Sequence, residues 1–215
     1  MTKTKKRNIY ICIASAVLLL FIGIAVWLLS NIQWGFSREI PQEEQANRLQ
    51  FVTAAEKWLG CNDLDGSHKP IIDLYNSHKP LAQGYQVKYD DQWCATFVSA
   101  AAIACGITDI IPTECGCERQ IQLFMGLAAW EERDDYVPLP GDVIYYCTSD
   151  RGLGECTGWS DHVGIVVGTW GGFIKVIEGN CGNKVAYRYI PMNAPTIRGY
   201  GLPNFASLTN KTPMD

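Results

Sequence analysis

The sequence predicts an α+β fold, with helices packed on an antiparallel sheet and one transmembrane helix ahead of them. Three observations carry this. Residues Ile9 to Leu29 form an uncharged apolar run. From Pro41 to Glu131 apolar residues recur largely at helical spacing. After Pro140-Gly141 the chain turns to short runs of β-branched and aromatic residues broken by glycine. Helices first and antiparallel strands second is the α+β order.

At helical rise the run from Ile9 to Leu29 extends about 31 Å, against a hydrocarbon core of roughly 30 Å. Lys3, Lys5, Lys6 and Arg7 precede it, and only Arg38 follows closely. Positive-inside asymmetry then places the N-terminus in the cytoplasm and the remainder outside a cell membrane crossed once. A cleaved signal peptide is the alternative. Its apolar region is typically about 7–15 residues and ends in a small-residue cleavage pattern, which Trp27 to Ile32 do not offer. The expected layout of the 215 residues is a cytoplasmic tail over 1–8, an anchor over 9–29, a linker over 30–41, one domain over 42–208 and a tail over 209–215.

Within the domain, Pro41 opens a helix with acidic residues in its first turn and Gly60 just past its end. SHKP occurs at 67–70 and again at 77–80, each copy capping or ending a short helical turn and carrying His68 or His78. Trp93 to Cys105 is the strongest helix. Asp90 or Asp91 is the candidate cap and Gly106 the stop, and its alanines suit close approach to a sheet. A further helix is expected from Glu118 to Glu131 around Ile121, Phe124, Leu127 and Ala128. The runs DVIYYC, HVGIVVG, FIKVIEG, KVAYRYI and IRGYG read as strands.

The net charge of −4 conceals a split, because without the four basic residues ahead of the apolar run the rest stands near −8. That argues against nucleic acid or another polyanion as the main partner. There are nine cysteines. With Cys12 in the apolar run and Cys94 set aside, Cys61, Cys105, Cys115, Cys117, Cys147, Cys156 and Cys181 remain, an odd number that cannot all pair. Cys115-Gly-Cys117 has no second cysteine pair at zinc-site spacing, and buried thiols with at most one bridge is the reading preferred. Asn62-Asp63-Leu64-Asp65-Gly66 holds a fragment of calcium-loop chemistry without the closing glutamate, so it reads as an Asx-rich turn. No metal or cofactor is expected.

Cys94 is the candidate nucleophile. It falls in the first turn of the predicted helix, where unpaired N–H groups and the dipole favour a thiolate and where its own N–H can serve an oxyanion. His162 stands at the start of HVGIVVG, and the chain returns through FIKVIEGN. A hairpin centred near Trp170 places His162 across from Glu178, with Asn180 on the same face. A tight Gly171-Gly172 turn would shift that register by an odd number and separate them. An imidazole held by a carboxylate or carboxamide is the base a cysteine nucleophile requires.

The segments YDDQWCATFVSA, PGDVIYY, DHVGIVVG, IEGN and RGYGLP, in this order, resemble the CHAP domain of cysteine- and histidine-dependent amidohydrolases and peptidases. The resemblance spans roughly residues 45–206. It implies a papain-like fold of the NlpC/CHAP type and a hydrolase cutting amide bonds of peptidoglycan. It implies Cys94 as nucleophile, His162 as base, and Glu178 and Asn180 as the groups orienting it. Gln92-Trp93 replaces the usual small residue before the nucleophile, leaving Gln92 and Tyr89 as candidates for the second oxyanion donor. Asp142 is expected to secure the start of its strand. The alternatives are an NlpC-type endopeptidase with the same fold and substrate, and a catalytically silent, membrane-tethered module that binds the wall.

Overall fold

The computed structural model describes residues 13, 15, 17–24, 34–133, 135–147 and 159–208. It contains two compact units, Met1–Gln33 and Trp34–Asp215.

The first unit corrects the transmembrane expectation. Among the described residues no helix is long and apolar enough to cross a membrane. An apolar run supplies the solvation for a span, but a span also needs hydrogen-bonded helix along its whole length. The remainder of 9–29 lies outside the described residues, as do the tails expected at 1–8 and 209–215.

The second unit is α+β, as expected. Its helices are α1 (Gln42–Glu56), α2 (Lys69–Ser77), α3 (Cys94–Cys105) and α4 (Cys117–Gly126). The strands are β1 (Trp130–Glu131), β2 (Val143–Tyr146), β3 (His162–Trp170), β4 (Phe173–Glu178), β5 (Ala186–Pro191) and β6 (Ile197–Gly201). They form one antiparallel sheet in the order β1-β6-β2-β3-β4-β5. The two SHKP copies bound α2, with His68 at its N-cap and His78 at its C-cap. The last predicted helix stops five residues early, at Gly126. Ala128 takes a left-handed φ of 52°, and Trp130 and Glu131 pair with β6 instead. Of the expected linker, Gly35 bridges antiparallel to Thr169 at the sheet.

Helix α3 lies at the centre. Every residue from Cys94 to Ala102 is buried, which small side chains permit because α1, α2 and β3 all close on it. Gly106, at φ 66°, ends it. Its N–H reaches the Ile103 carbonyl, and Ile107 N–H reaches that of Ala102, closing a Schellman motif. The helices cover one sheet face through Val143, Tyr145, Val163, Ile165 and Ile177. A second cluster, including Ile144, Tyr146, Val166 and Val176, holds the other face.

Asp142 ties the helical half to the sheet. Its Oδ1 accepts from Arg48 Nη1 at 2.8 Å, and its Oδ2 accepts from Tyr136 hydroxyl at 2.7 Å and Leu139 N–H at 2.8 Å, all at a fully buried position. A buried carboxylate is tolerated when its lone pairs are met in this way.

Candidate active site

Cys94 is the first residue of α3, after Trp93 as N-cap. No side chain caps this end, so neither Asp90 nor Asp91 takes the capping position expected of them. Asp91 instead accepts from Lys88 N–H and Tyr85 hydroxyl, each at 2.8 Å. The first intrahelical bond runs from Phe97 N–H to the Trp93 carbonyl at 2.9 Å. The amides of Cys94, Ala95 and Thr96 therefore precede the helical ladder and project their positive ends at the sulfur's end of the helix.

The β3–β4 hairpin turns on Gly171-Gly172, both at positive φ (57° and 84°), with Trp170 opposite Phe173. This is the tight turn whose odd register would separate His162 from Glu178. Between Val166 and Gly168 the register shifts, leaving Val167 as an extra residue in β3. That bulge restores the parity. Ile165 then faces Ile177, and continuing the register sets Glu178 opposite Gly164, one pleat from His162 on the same face.

Gly164 makes that position possible. A β-carbon there would stand 2.7 Å from Glu178 Cγ and 2.5 Å from Val176 Cγ1. With it absent, Glu178 lies fully buried and reaches diagonally, its Oε2 accepting from His162 Nε2 at 3.0 Å and from Arg188 Nε at 2.9 Å. Tyr146, opposite His162 on β2, stacks on the imidazole with centroids 6.0 Å apart. Ser160 hydroxyl bonds to the carbonyls of Tyr146 and His162, and Ser160 N–H donates to Glu118 Oε2 at 3.2 Å. The chain leading into β3 is thus held on both sides of the histidine.

With Nε2 donating to the carboxylate, Nδ1 is the ring nitrogen left for Cys94. Burial alone pushes Glu178 up, but His162 and then Arg188 outweigh it and hold the carboxyl below its ordinary range. Burial also disfavours the imidazolium, yet Cys94 and Glu178 together push His162 up to about 9. The Cys94 thiol is held well below its ordinary value. A hydrogen bond with Cys117 does most, burial opposes it, and hydrogen bonding and charge from His162 and the Ala95 amide add to the lowering. A buried thiolate beside an imidazolium held by a carboxylate has the elements of nucleophilic acyl transfer.

Asn180, at φ 56° just beyond β4, donates through Nδ2 to Gln92 Oε1 at 2.8 Å. The structure therefore joins Asn180 to Gln92 and Glu178 to His162. Tyr89 points its hydroxyl to Asp73 Oδ1 at 2.7 Å and lines an open groove of about 630 Å³ with His68, Lys69, Lys88 and Asp90. His68 is buried, its nitrogens on the carbonyls of Asn62 (3.2 Å) and Tyr89 (2.9 Å), its ring against Trp93. Asn62, Asp65 and Ser67 bond one another in the Asx turn.

Two residues of the site were not singled out from sequence as part of it. Arg188, a partly exposed residue of β5, meets Glu178. Cys117, at the start of α4, brings its sulfur to 3.6 Å from that of Cys94. The sequence placed Cys117 just ahead of a helix expected from Glu118, and the structure makes it that helix's first residue. Cys61, Cys94, Cys105, Cys115, Cys117 and Cys181 stand as free thiols, while Cys12 and Cys156 lie outside the described residues.

No protein-family model matches the chain, and no curated protein matches it. Among solved structures, an NlpC/P60 family protein from Bacillus cereus is similar at a TM-score of 0.41 and 15% identity. The match covers 73% of this chain and 40% of that one, so the chain spans well under half that protein's length. A likeness of this degree does not assign a family.

Proposed function

We propose that this chain is a cysteine hydrolase of the CHAP kind that cleaves amide bonds of peptidoglycan, acting outside the cytoplasm, where that substrate lies. The observation that carries the chemistry is the convergence of a depressed Cys94 thiol at a helix start with His162, itself bonded to buried Glu178 at 3.0 Å. The substrate class is supported by the ordered motifs YDDQWCATFVSA, DHVGIVVG and IEGN.

In this reading the Cys94 thiolate attacks the carbonyl carbon. Charge gathers on the carbonyl oxygen, where the Cys94 amide is one donor. Gln92 supplies the other, because Asn180 occupies its carbonyl end and its NH2 group remains a donor. The imidazolium gives its Nδ1 proton to the departing amine as the carbon–nitrogen bond breaks, leaving a thioester on Cys94. Water then surrenders a proton to Nδ1 and attacks the thioester, releasing the acid and restoring the thiolate–imidazolium pair. Glu178 keeps its negative charge throughout and orients the ring. Asn180 acts through Gln92 rather than through His162.

The test is mass spectrometry of muropeptides released from purified peptidoglycan by the full chain. New amine and carboxyl ends are expected from the parent and none from Cys94→Ala, whose melting temperature stays close to the parent's. Equal release by Cys94→Ala removes the reading. Binding to the wall without any new ends would favour the silent binding module.

A further inference from the structure

The mechanism above uses one of two buried sulfurs. Cys94 opens α3 and Cys117 opens α4, so the positive ends of two helices meet at a single pair of thiols. The sulfurs are 3.6 Å apart, and the residues are only 6% and 8% exposed. At that separation both cannot be anions, and one S–H is well placed to donate to the other sulfur.

The surroundings decide which sulfur keeps the charge. Among the described residues, the titratable groups facing the pair are His162 from β3, Asp161 just ahead of it, and Tyr145 from β2, with Glu178 acting through His162. The cationic group bonds to Cys94, while the negative charge of Asp161 acts on Cys117. Tyr145 sends its hydroxyl to Gln120 Oε1 at 2.9 Å and leaves the sulfurs to each other. The proton therefore belongs on Cys117 and the negative charge on Cys94.

We propose that Cys117 is a positioning residue for the nucleophile, its S–H donating to Cys94 Sγ and holding that sulfur as a thiolate aimed for attack. In the thioester Cys94 has lost its charge, so this hydrogen bond weakens on acylation and strengthens again when the thiolate departs. Cys117 keeps its own proton throughout, and no oxidation or transfer takes place on it. The Cys94 thiol is depressed chiefly by this bond, and Cys117 is driven up by the same contact, by burial and by the neighbouring charges.

The inference rests on Cys94 being the nucleophile, so its test reads thiol reactivity rather than turnover. The full reduced chain is treated with iodoacetamide across a pH series, and alkylation is followed at each cysteine by peptide mass spectrometry. In Cys117→Ala the acid limb of Cys94 alkylation should move up by about one pH unit or more, a fall of about tenfold in rate on the acid side. Cys117→Ser should recover part of the shift, because a hydroxyl still donates. Reciprocally, Cys94→Ala should let Cys117 react at lower pH than in the parent, and this arm decides the matter if Cys117→Ala does not fold. An unmoved Cys94 limb in Cys117→Ala, or identical limbs in the Ser and Ala variants, overturns the proposal. So does an unmoved Cys117 limb in Cys94→Ala. Shifts as expected in a chain that releases no muropeptides would leave this inference standing and sink the proposed substrate.

Discussion

Replacing Glu178 with Gln keeps the side chain's length and removes one fully buried negative charge. The carboxylate stands 3.0 Å from His162 Nε2. At an effective dielectric of about 20, a charge pair at that distance is worth roughly 5.5 kcal/mol before relaxation. An amide keeps a hydrogen bond but not the charge, and a net loss of about 3 kcal/mol corresponds to about two pH units on the imidazole. His162 would then fall from about 9 to about 7. Near pH 8 the imidazolium share drops from roughly nine-tenths to one-tenth, a tenfold loss of the acid that protonates the leaving amine. A ring released from its carboxylate also loses orientation, so kcat/KM should fall by about 10² to 10³ in all. The pH profile carries the sign. In the parent, activity fades on the acid side as the Cys94 thiolate is protonated and on the alkaline side as His162 gives up its proton near 9. In Glu178→Gln only the alkaline limb should move, and it should move down. Arg188 loses its partner but keeps part of its side chain in water, so the melting temperature should change little. Muropeptide release against pH measures both limbs. An alkaline limb left in place, with kcat/KM within about threefold of the parent, would refute the role given to Glu178, as would a larger loss from Asn180→Ala.

Other expectations follow from the same coordinates. Asp142→Ala should lower stability by about 3–5 kcal/mol in urea unfolding, because it strands the buried Arg48 guanidinium, while the folded fraction keeps the parent's pH profile. Gly164→Ala should lose activity together with about 1–3 kcal/mol of stability, since the new methyl group stands 2.7 Å from Glu178 Cγ. A variant with parent-like kinetics would show that Glu178 has room to move. Gln92→Ala should reduce kcat about 10²-fold if its amide serves the oxyanion. Tyr89→Phe should leave kcat nearly unchanged, because that hydroxyl is already committed to Asp73. The reverse order in single-turnover kinetics would exchange their roles.

The sequence by itself determined the α+β class, strands β2 to β6 and a cysteine opening a buried helix. These follow from local causes: apolar spacing, β-branched runs, and a glycine at the end of α3. The same local reasoning overreached at both ends of its range. It read an apolar run as a membrane span, whereas among the described residues no helix is long and apolar enough to cross one. It also carried the last helix through Ala128, where the chain turns left-handed and Trp130 finds a partner on β6. What only the tertiary structure decided was the pairing across elements. A strand's period of two says which residues share a face within that strand, but the relation between strands depends on the turn and on any bulge. Here the tight Gly171-Gly172 turn breaks the parity and the extra Val167 restores it, so His162 and Glu178 share a face through two departures that cancel. The meeting of Cys94 with Cys117, of Asn180 with Gln92 and of Glu178 with Arg188 likewise joins residues whose neighbours in sequence give no sign of one another. Such contacts are set by how helices and sheet dock, and docking is a property of the whole buried surface rather than of any one segment.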